Sequence, residues 1–290
     1  MQGKLIVFEG TDGSGKATQS ELLCQELTRR GVPYRKLTFP RYQEESSALV
    51  RLYLGGAFGQ KPGDVNAYAA AAFYSVDRYA SYKQDWGSYY EQGGLLIADR
   101  YTTSNAVHQT SKLPPEQQRP FVDWLFDFEY QKLGLPAPDR VLYLDLPTEL
   151  SEQMMRRREE ATHTHADIHE QDEAYLRSCR ESAARVVDWC GWQRIRCDRD
   201  GRIRSIQDIH QEVLERVADL LPEKKDGTPQ RPVPVRPNPM VRVCPYVPQQ
   251  EQRESPPQQR SFCPPPQQQS TSKTMTISQM QEQLLLSKHT

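Results

Sequence analysis

Apolar residues run unbroken from Leu5 to Phe8 and then give way to a polar, glycine-rich stretch, Glu9 to Gly15. A short apolar run closed by turn residues predicts a strand buried on both faces. From Ser20 to Arg30 apolar positions return at Leu22, Leu23 and Leu27 with polar residues between them, the helical period, and Gly31 stands where a C-terminal cap belongs. Tyr34 to Phe39 predicts a second strand. Three further runs, Gly94-LLIA-Asp99, Arg140-VLYLDL-Pro147 and Gln193-RIRC-Asp198, predict buried parallel strands separated by helical segments of ordinary length. Five strands alternating with helices predict a doubly wound α/β sheet. Ligands of such sheets sit beyond the carboxyl ends of the strands, which gathers Glu9 with the glycine-rich turn, Phe39-Pro40-Arg41, and Asp99-Arg100-Tyr101.

The turn itself supplies chemistry. In KLIVFEGTDGSGKATQ, residues 4–19, Gly10, Gly13 and Gly15 let the backbone turn tightly and aim N–H groups at an anion. A helix starting near Gly15 adds its positive dipole end, Ser14 and Thr18 flank the cradle, and Lys16 can reach outer phosphates. The pattern is a P-loop with one departure: the hydroxyl residue expected after the lysine, which helps hold Mg²⁺, is Ala17, and Thr18 follows one place late. Asp99 and Arg100, closing an apolar run, suit phosphoryl transfer: a carboxylate for Mg²⁺ or its water and a guanidinium to fork a phosphate. By themselves such a pair also reads as a surface ion pair at a strand end.

Composition then marks where the fold stops. The 290 residues are 37% hydrophobic, and 13 of the 22 prolines lie from Pro222 onward, with many glutamines and few aromatic residues. Such a segment cannot bury enough apolar surface to offset its ordering entropy, so the folded part is expected over residues 1–221 and a disordered Pro/Gln-rich tail over 222–290. Arg231-x-x-Pro234-x-x-Pro237 has the form of a polyproline-II ligand, and Met275, Ile277, Met280, Leu284 and Leu285 could form one face of a short helix, so an unidentified partner of the tail is conceivable. The tail carries 9 Lys/Arg against 5 Asp/Glu, leaving 28 against 33, or −5, for residues 1–221. That balance gives no nucleic-acid-binding surface. Six cysteines show no C-x-x-C spacing, the first strand starts at residue 4, and no apolar run approaches a membrane span. Free thiols in a reducing cytoplasm, with no membrane contact, are the expectation.

The chain resembles the thymidylate kinases over about residues 3–220, on FEGTDGSGKATQ at 8–19, TFPRY at 38–42, YSVDR at 74–78, DRYTTSN at 99–105 and YLDLP at 143–147. The resemblance implies a P-loop-type five-stranded parallel sheet with flanking helices and a lid. It implies an enzyme that transfers a phosphoryl group from ATP to dTMP with Mg²⁺, and a homodimer. Asp12 is placed between the two nucleotides, near the sugar and the metal. Arg41 would approach the acceptor phosphate, and the family often has a cis peptide before the adjoining proline. Tyr74 would stack on thymine, with Phe73 the competing choice, and Arg78, four residues on, would hydrogen-bond the base. Arg100 would bind the acceptor phosphate, Asn105 would reach the base or sugar edge, and His108 falls where the family often has a tyrosine near the sugar.

The P-loop holds no arginine, so the resemblance assigns the cation that offsets the transferring phosphoryl to Met154-Met155-Arg156-Arg157-Arg158, with Arg157 the choice, ahead of a lid over Glu159 to Gln171. Glu170 matches a carboxylate at the lid's end, joining Asp12 and Asp99 near the metal. His163, His165 and His169 lack cysteine partners and read as a polar loop rather than a zinc site. The segment from Arg199 to Ser205 is expected beside the adenine. Two rivals stand: a deoxynucleoside or other nucleotide kinase, which would use a carboxylate such as Glu9 as base for a 5′-OH, and a weakly catalytic nucleotide-binding protein acting through its tail.

Overall fold

The computed structural model describes residues 2–162 and 173–222, except the side chains of 157–162, 173 and 174. Five strands, β1 (Lys4–Glu9), β2 (Tyr34–Thr38), β3 (Leu95–Asp99), β4 (Arg140–Asp145) and β5 (Gln193–Arg196), form one sheet in the order β2-β3-β1-β4-β5. Every pairing is parallel. The helices are α1 (Lys16–Arg29), α2 (Ala48–Leu54), α3 (Ala67–Ser81), α4 (Gly87–Glu91), α5 (Thr102–His108), α6 (Pro115–Phe126), α7 (Thr148–Thr162), α8 (Glu173–Cys190) and α9 (Ile206–Val217). The doubly wound expectation holds. The strand at Gln193 forms a sheet edge, so Ile195 is buried while its neighbours are partly open.

Burial explains why β1 has no polar alternation: Leu5, Ile6, Val7 and Phe8 are each 0% exposed. Ile6 and Phe8 pack with Leu23 and Leu27 of α1 and Val213 of α9, whereas Leu5 and Val7 pack on the other face with Trp86, Leu96 and Tyr101. Successive side chains of a strand face opposite sides, so a sheet covered on both sides needs an unbroken apolar strand. Each such side chain contributes about 1.5–3 kcal/mol through burial.

α1 begins four residues before the apolar period reveals it, because its first turn is the phosphate cradle. It ends as expected: Gly31 has φ 70°, its N–H donates to Thr28 O at 3.0 Å, and Val32 N donates to Leu27 O at 2.9 Å. Register then sets the site. Phe8 lies opposite Asp99, and Thr38 lies opposite Asp99 on its other side, so the loops after β1, β2 and β3 leave the sheet side by side. The Phe39-Pro40 peptide is cis, as the resemblance implied.

Cys24, Cys179, Cys190 and Cys197 are free thiols, and Cys244 and Cys263 lie outside the described residues. Burial is the main cause that pushes the four thiols up, Cys24 and Cys190 to about 11 and Cys179 and Cys197 to about 12. They are not poised as thiolate nucleophiles. Among the described residues no helix is long and apolar enough to cross a membrane. α7 runs through Glu159 to Thr162, the first four residues of the expected lid. The rest of the lid, with His163, His165, His169 and Glu170, the Arg157 and Arg158 side chains, and the tail from residue 223 lie outside the described residues.

Candidate active site

At the carboxyl edge of the sheet a cavity of about 530 Å³ opens between the glycine-rich loop, the Phe39-Pro40 turn, α3 and α5. The loop is shaped by glycines where side chains are excluded. Gly13 has φ 78°, and a Cβ there would lie 2.5 Å from Ser151 O of α7. Gly15, with φ 94°, caps α1, and a Cβ there would meet nothing within 4 Å, because the residue faces open space beside the helix N-terminus. This is where a phosphate can approach backbone N–H groups without a side chain in the way.

Lys16 is buried, and its Nζ donates to Gly10 O at 2.9 Å and Thr11 O at 2.8 Å, with Asp12 Oδ1 at 4.0 Å. Burial and the Arg100 charge lower its pKa, against the opposing pull of Asp12, Glu9 and Asp99. Arg100 leaves β3 with φ 66°, a left-handed conformation shared among described non-glycine residues only with Asp200. Such a backbone costs about 1–3 kcal/mol and persists only when its surroundings fix it. They do so here: Arg100 N donates to Phe8 O at 3.1 Å, Nη2 donates to Asp12, and Nη1 reaches Ser104 Oγ and His108 Nε2, each at 3.3 Å. Burial opposes its charge, but the carboxylates of Asp12, Glu9 and Asp99 outweigh burial and raise its pKa.

Glu9 is 0% exposed. One oxygen accepts from Gly10 N at 3.0 Å, and the other accepts from Thr103 and Ser104 hydroxyls at 2.7 Å each. Both are engaged in holding the loop to α5, so Glu9 is not disposed to take a proton from a substrate hydroxyl.

The cavity is lined further by Tyr74 and Arg78 of α3 and by Asn105 and His108 of α5. Helical spacing separates the two aromatic candidates: Tyr74 lines the cavity, whereas Phe73 packs on Tyr53 and Phe58 at ring distances of 6.4 and 5.6 Å. Arg78 is 2% exposed and pairs with Glu129, which is 0% exposed and sits in the π-helical turn Asp127–Lys132. Asn105 Nδ2 donates to Ala71 O at 3.2 Å, tying α5 to α3.

Of the residues singled out in the sequence, Asp12, Gly13, Gly15, Lys16, Thr18, Tyr74, Arg78, Asp99, Arg100, Asn105 and His108 line this one cavity, and so does Ala17. Gly10 and Ser14 are not among its lining residues, and a Cβ on Gly10 would lie 2.5 Å from Ser14 Oγ. Arg41 is not brought to it: its Nη2 donates to Glu44 Oε1 at 3.0 Å and Nη1 lies 4.0 Å from Asp85 Oδ2, two carboxylates that draw the guanidinium away. Arg199 to Ser205 do not line it either. They form a hairpin, β6 (Asp198–Arg199) and β7 (Arg202–Ile203), that leads into α9, and Gln19 Nε2 of α1 donates to Ile206 O at 3.0 Å at its start. Reading the sequence missed Glu129 and the Glu9 partners. The signal for Glu129 was an acid on the apolar period of Val122 and Leu125, the face that α6 buries.

No three His, Cys, Asp or Glu side chains among the described residues converge to hold a metal ion unaided. Asp12 and Asp99 instead face a cavity fringed by the phosphate cradle, a donor set that suits Mg²⁺ bound mainly through waters and nucleotide phosphates.

A family model for thymidylate kinase matches residues 8–213. The thymidylate kinase of Mycobacterium tuberculosis is 32% identical over 155 residues, which covers 53% of this chain and 71% of that protein. The thymidylate kinase of Caenorhabditis elegans is 29% identical over 208 residues, covering 69% and 85%. The structure of the thymidylate kinase of Candida albicans shares the fold, with a TM-score of 0.55 at 20% identity over 75% of this chain and 92% of that one.

Proposed function

The chain belongs to the thymidylate kinase family, and from that premise we propose that it transfers the γ-phosphoryl group of ATP to the phosphate of dTMP, giving dTDP for dTTP synthesis. The observation that carries this reading is one cavity lined by two unlike sets of groups: Lys16, Arg100 and the P-loop in one, and Tyr74, Arg78 and Asn105 in the other. An anion suits the first and a base the second. The acceptor phosphate would lie on Arg100, whose guanidinium can fork two oxygens while Asp12 and Ser104 hold its direction. Lys16 and the loop amides would offset the charge that spreads over the transferring group. Mg²⁺, when bound, would add positive charge at the phosphates, with Asp12 and Asp99 holding it through water. Arg157 and Glu170, from the lid side, complete the proposed set.

A monophosphate presents an anionic nucleophile and needs no base, which accords with both oxygens of Glu9 being engaged; this favours the monophosphate over the nucleoside reading. Purified protein assayed with ATP and a panel of nucleosides and monophosphates tests it: dTMP is expected to be the preferred acceptor, and transfer to nucleosides alone would overturn the reading.

Ala17 lines the cavity but offers no hydroxyl. Since Mg²⁺ keeps several waters in nucleotide sites, a water can stand in. Ala17→Ser is therefore expected to lower the Mg²⁺ concentration for half-maximal rate about threefold, with dTMP KM unchanged, in a Mg²⁺ titration at saturating nucleotides. A native chain inactive on every nucleotide, with activity appearing only in Ala17→Ser, would favour the nucleotide-binding alternative.

We also propose a homodimer. Tyr68, Val76 and Tyr79 recur on one side of α3 and stay exposed, Val76 at 52%, beside exposed Leu49 and Leu52 of α2. An apolar stripe of this kind suits a partner surface. Sedimentation is expected to give twice the 33.4 kDa chain mass, and Val76→Asp is expected to shift it toward one.

A further inference from the structure

A second hollow opens at the edge of the sheet opposite the phosphate cradle, where β4 and β5 begin at Arg140 and Gln193. It measures about 410 Å³, and its walls are aromatic: Phe126 from the end of α6, Tyr130 from the π-helical turn, and Trp189 and Trp192 from the turn that joins α8 to β5. All four side chains are half-buried. Their positions are set by the fold. Phe126 and Tyr130 stack with ring centroids 5.2 Å apart, the Arg119 guanidinium lies 5.8 Å from the Trp189 ring, and Trp192 N donates to Val187 O at 3.0 Å as the chain turns at Gly191, φ 63°.

The groups this groove leaves unspent define what it takes. Its charged lining residues are paired within the protein: Arg119 with Asp123 at 3.0 Å, Asp139 with Lys4 at 2.7 Å, and Arg140 with Asp219 at 2.7 Å. An ion is not what such a lining asks for. The indoles differ. Trp86, in the core, donates from Nε1 to Ser81 Oγ at 2.8 Å, whereas among the described residues the N–H groups of Trp189 and Trp192 meet no acceptor, and an indole can only donate. Gln193 Oε1, also in the lining, is buried with no donor among the described residues. A polyproline-II strand answers these needs: it brings apolar rings to aromatic faces, carbonyls that no internal hydrogen bond uses, and three residues per turn, so that every third side chain lies on one edge.

We propose that the groove is the docking site of the chain's own proline motif, RPVPVRP at residues 231–237. Arg231, Pro234 and Pro237 fall on one edge of a polyproline-II strand, and Val233 and Val235 keep N–H groups that can serve Gln193. The end of the described chain lies beside the groove, because Arg140 Nη1 donates to Arg216 O at 2.7 Å and Nη2 donates to Asp219 Oδ2 at 2.7 Å. Eight residues, 223–230, then separate Pro222 from Arg231. Such a linker reaches about 30 Å fully extended and about 15–18 Å as a flexible coil. The motif's two arginines are drawn, besides, to a folded part of net charge −5. A segment tethered this closely needs little intrinsic affinity, since its effective concentration at the groove is on the order of mM. Docked, it is closed to any outside reader of proline motifs, and the phosphate cradle at the other edge stays open.

The test reads the indole N–H signals of the full-length ¹⁵N-labelled chain, one for each of its four tryptophans, assigned by single Trp→Phe substitutions. Pro234→Ala and Pro237→Ala, made together, lie beyond the last element of the sheet and leave the fold intact. They are expected to move the Trp189 and Trp192 signals by more than a linewidth and to leave those of Trp86 and Trp124, which do not line the groove, in place. A synthetic peptide of residues 229–240 added to the double variant is expected to return both signals to their native positions with a Kd of about 1 mM or tighter, and to bind the native chain about fivefold more weakly, because the native groove is already filled. Signals that coincide in the native chain and the double variant overturn the proposal. So does a peptide that leaves the groove signals of the double variant unmoved. Native signals that drift to the variant positions on dilution overturn it too, because they would assign the occupant to a second copy of the chain.

Discussion

Replacing Lys16 with alanine is expected to lower kcat for dTMP phosphorylation by about 10²–10³-fold, the range for losing one preorganised charge at a developing anion. The loss should fall on kcat more than on either KM, because the charge is needed most when the phosphoryl group is between its two partners. The fold should survive. Lys16 is buried, but what its Nζ touches is the Gly10 and Thr11 carbonyls of a cavity-lining loop, at 2.9 and 2.8 Å, and not the apolar core. Those carbonyls can pass to water that takes the place of the ammonium. Steady-state kinetics with a circular-dichroism melt of the same preparation checks both parts; turnover within about threefold of native would reject the P-loop assignment.

Arg100→Ala is expected to lower kcat/KM for dTMP by about 10²-fold or more while ATP affinity changes about twofold at most, because a forked phosphate contact is lost on the acceptor side alone. Two further effects accompany it. The left-handed backbone at residue 100, φ 66°, becomes strained without the contacts that hold it. Asp12 and buried Glu9 also lose a cation, 4.0 Å away in the case of Glu9. The melting temperature should therefore fall, and Arg100→Lys separates the causes: it restores charge near the two carboxylates but not the fork, so stability should recover more than dTMP use. Nucleotide affinities measured by calorimetry decide the matter, and an equal loss for ATP and dTMP would reject Arg100 as the acceptor-phosphate residue.

The sequence by itself determined the sheet, the glycine-rich turn and the edge of the sheet where the cavity opens, because each is written in short-range terms. An unbroken apolar run such as Leu5 to Phe8 has one physical solution, a strand covered on both faces. Glycines before Lys16 have one economical use at a strand-to-helix turn. The quoted motifs likewise fixed Tyr74, Arg78, Arg100 and Asn105 as a set, and all four meet in the cavity. Only the tertiary structure decided which partners these side chains take. Arg78 finds Glu129 across 51 residues, and Arg100 finds Asp12 across 88. Arg41, the acceptor-phosphate candidate that the resemblance gave, is drawn to Glu44 and Asp85. Phe73 and Tyr74 are adjacent in the chain, yet the roll of α3 against Tyr53 and Phe58 sends one to the packing and the other to the cavity. Periodicity reports which face of an element is buried. Which charge meets which depends on how elements distant in sequence pack, and in a low-dielectric interior that choice sets whether an arginine is left to bind a ligand or is held in place by a carboxylate.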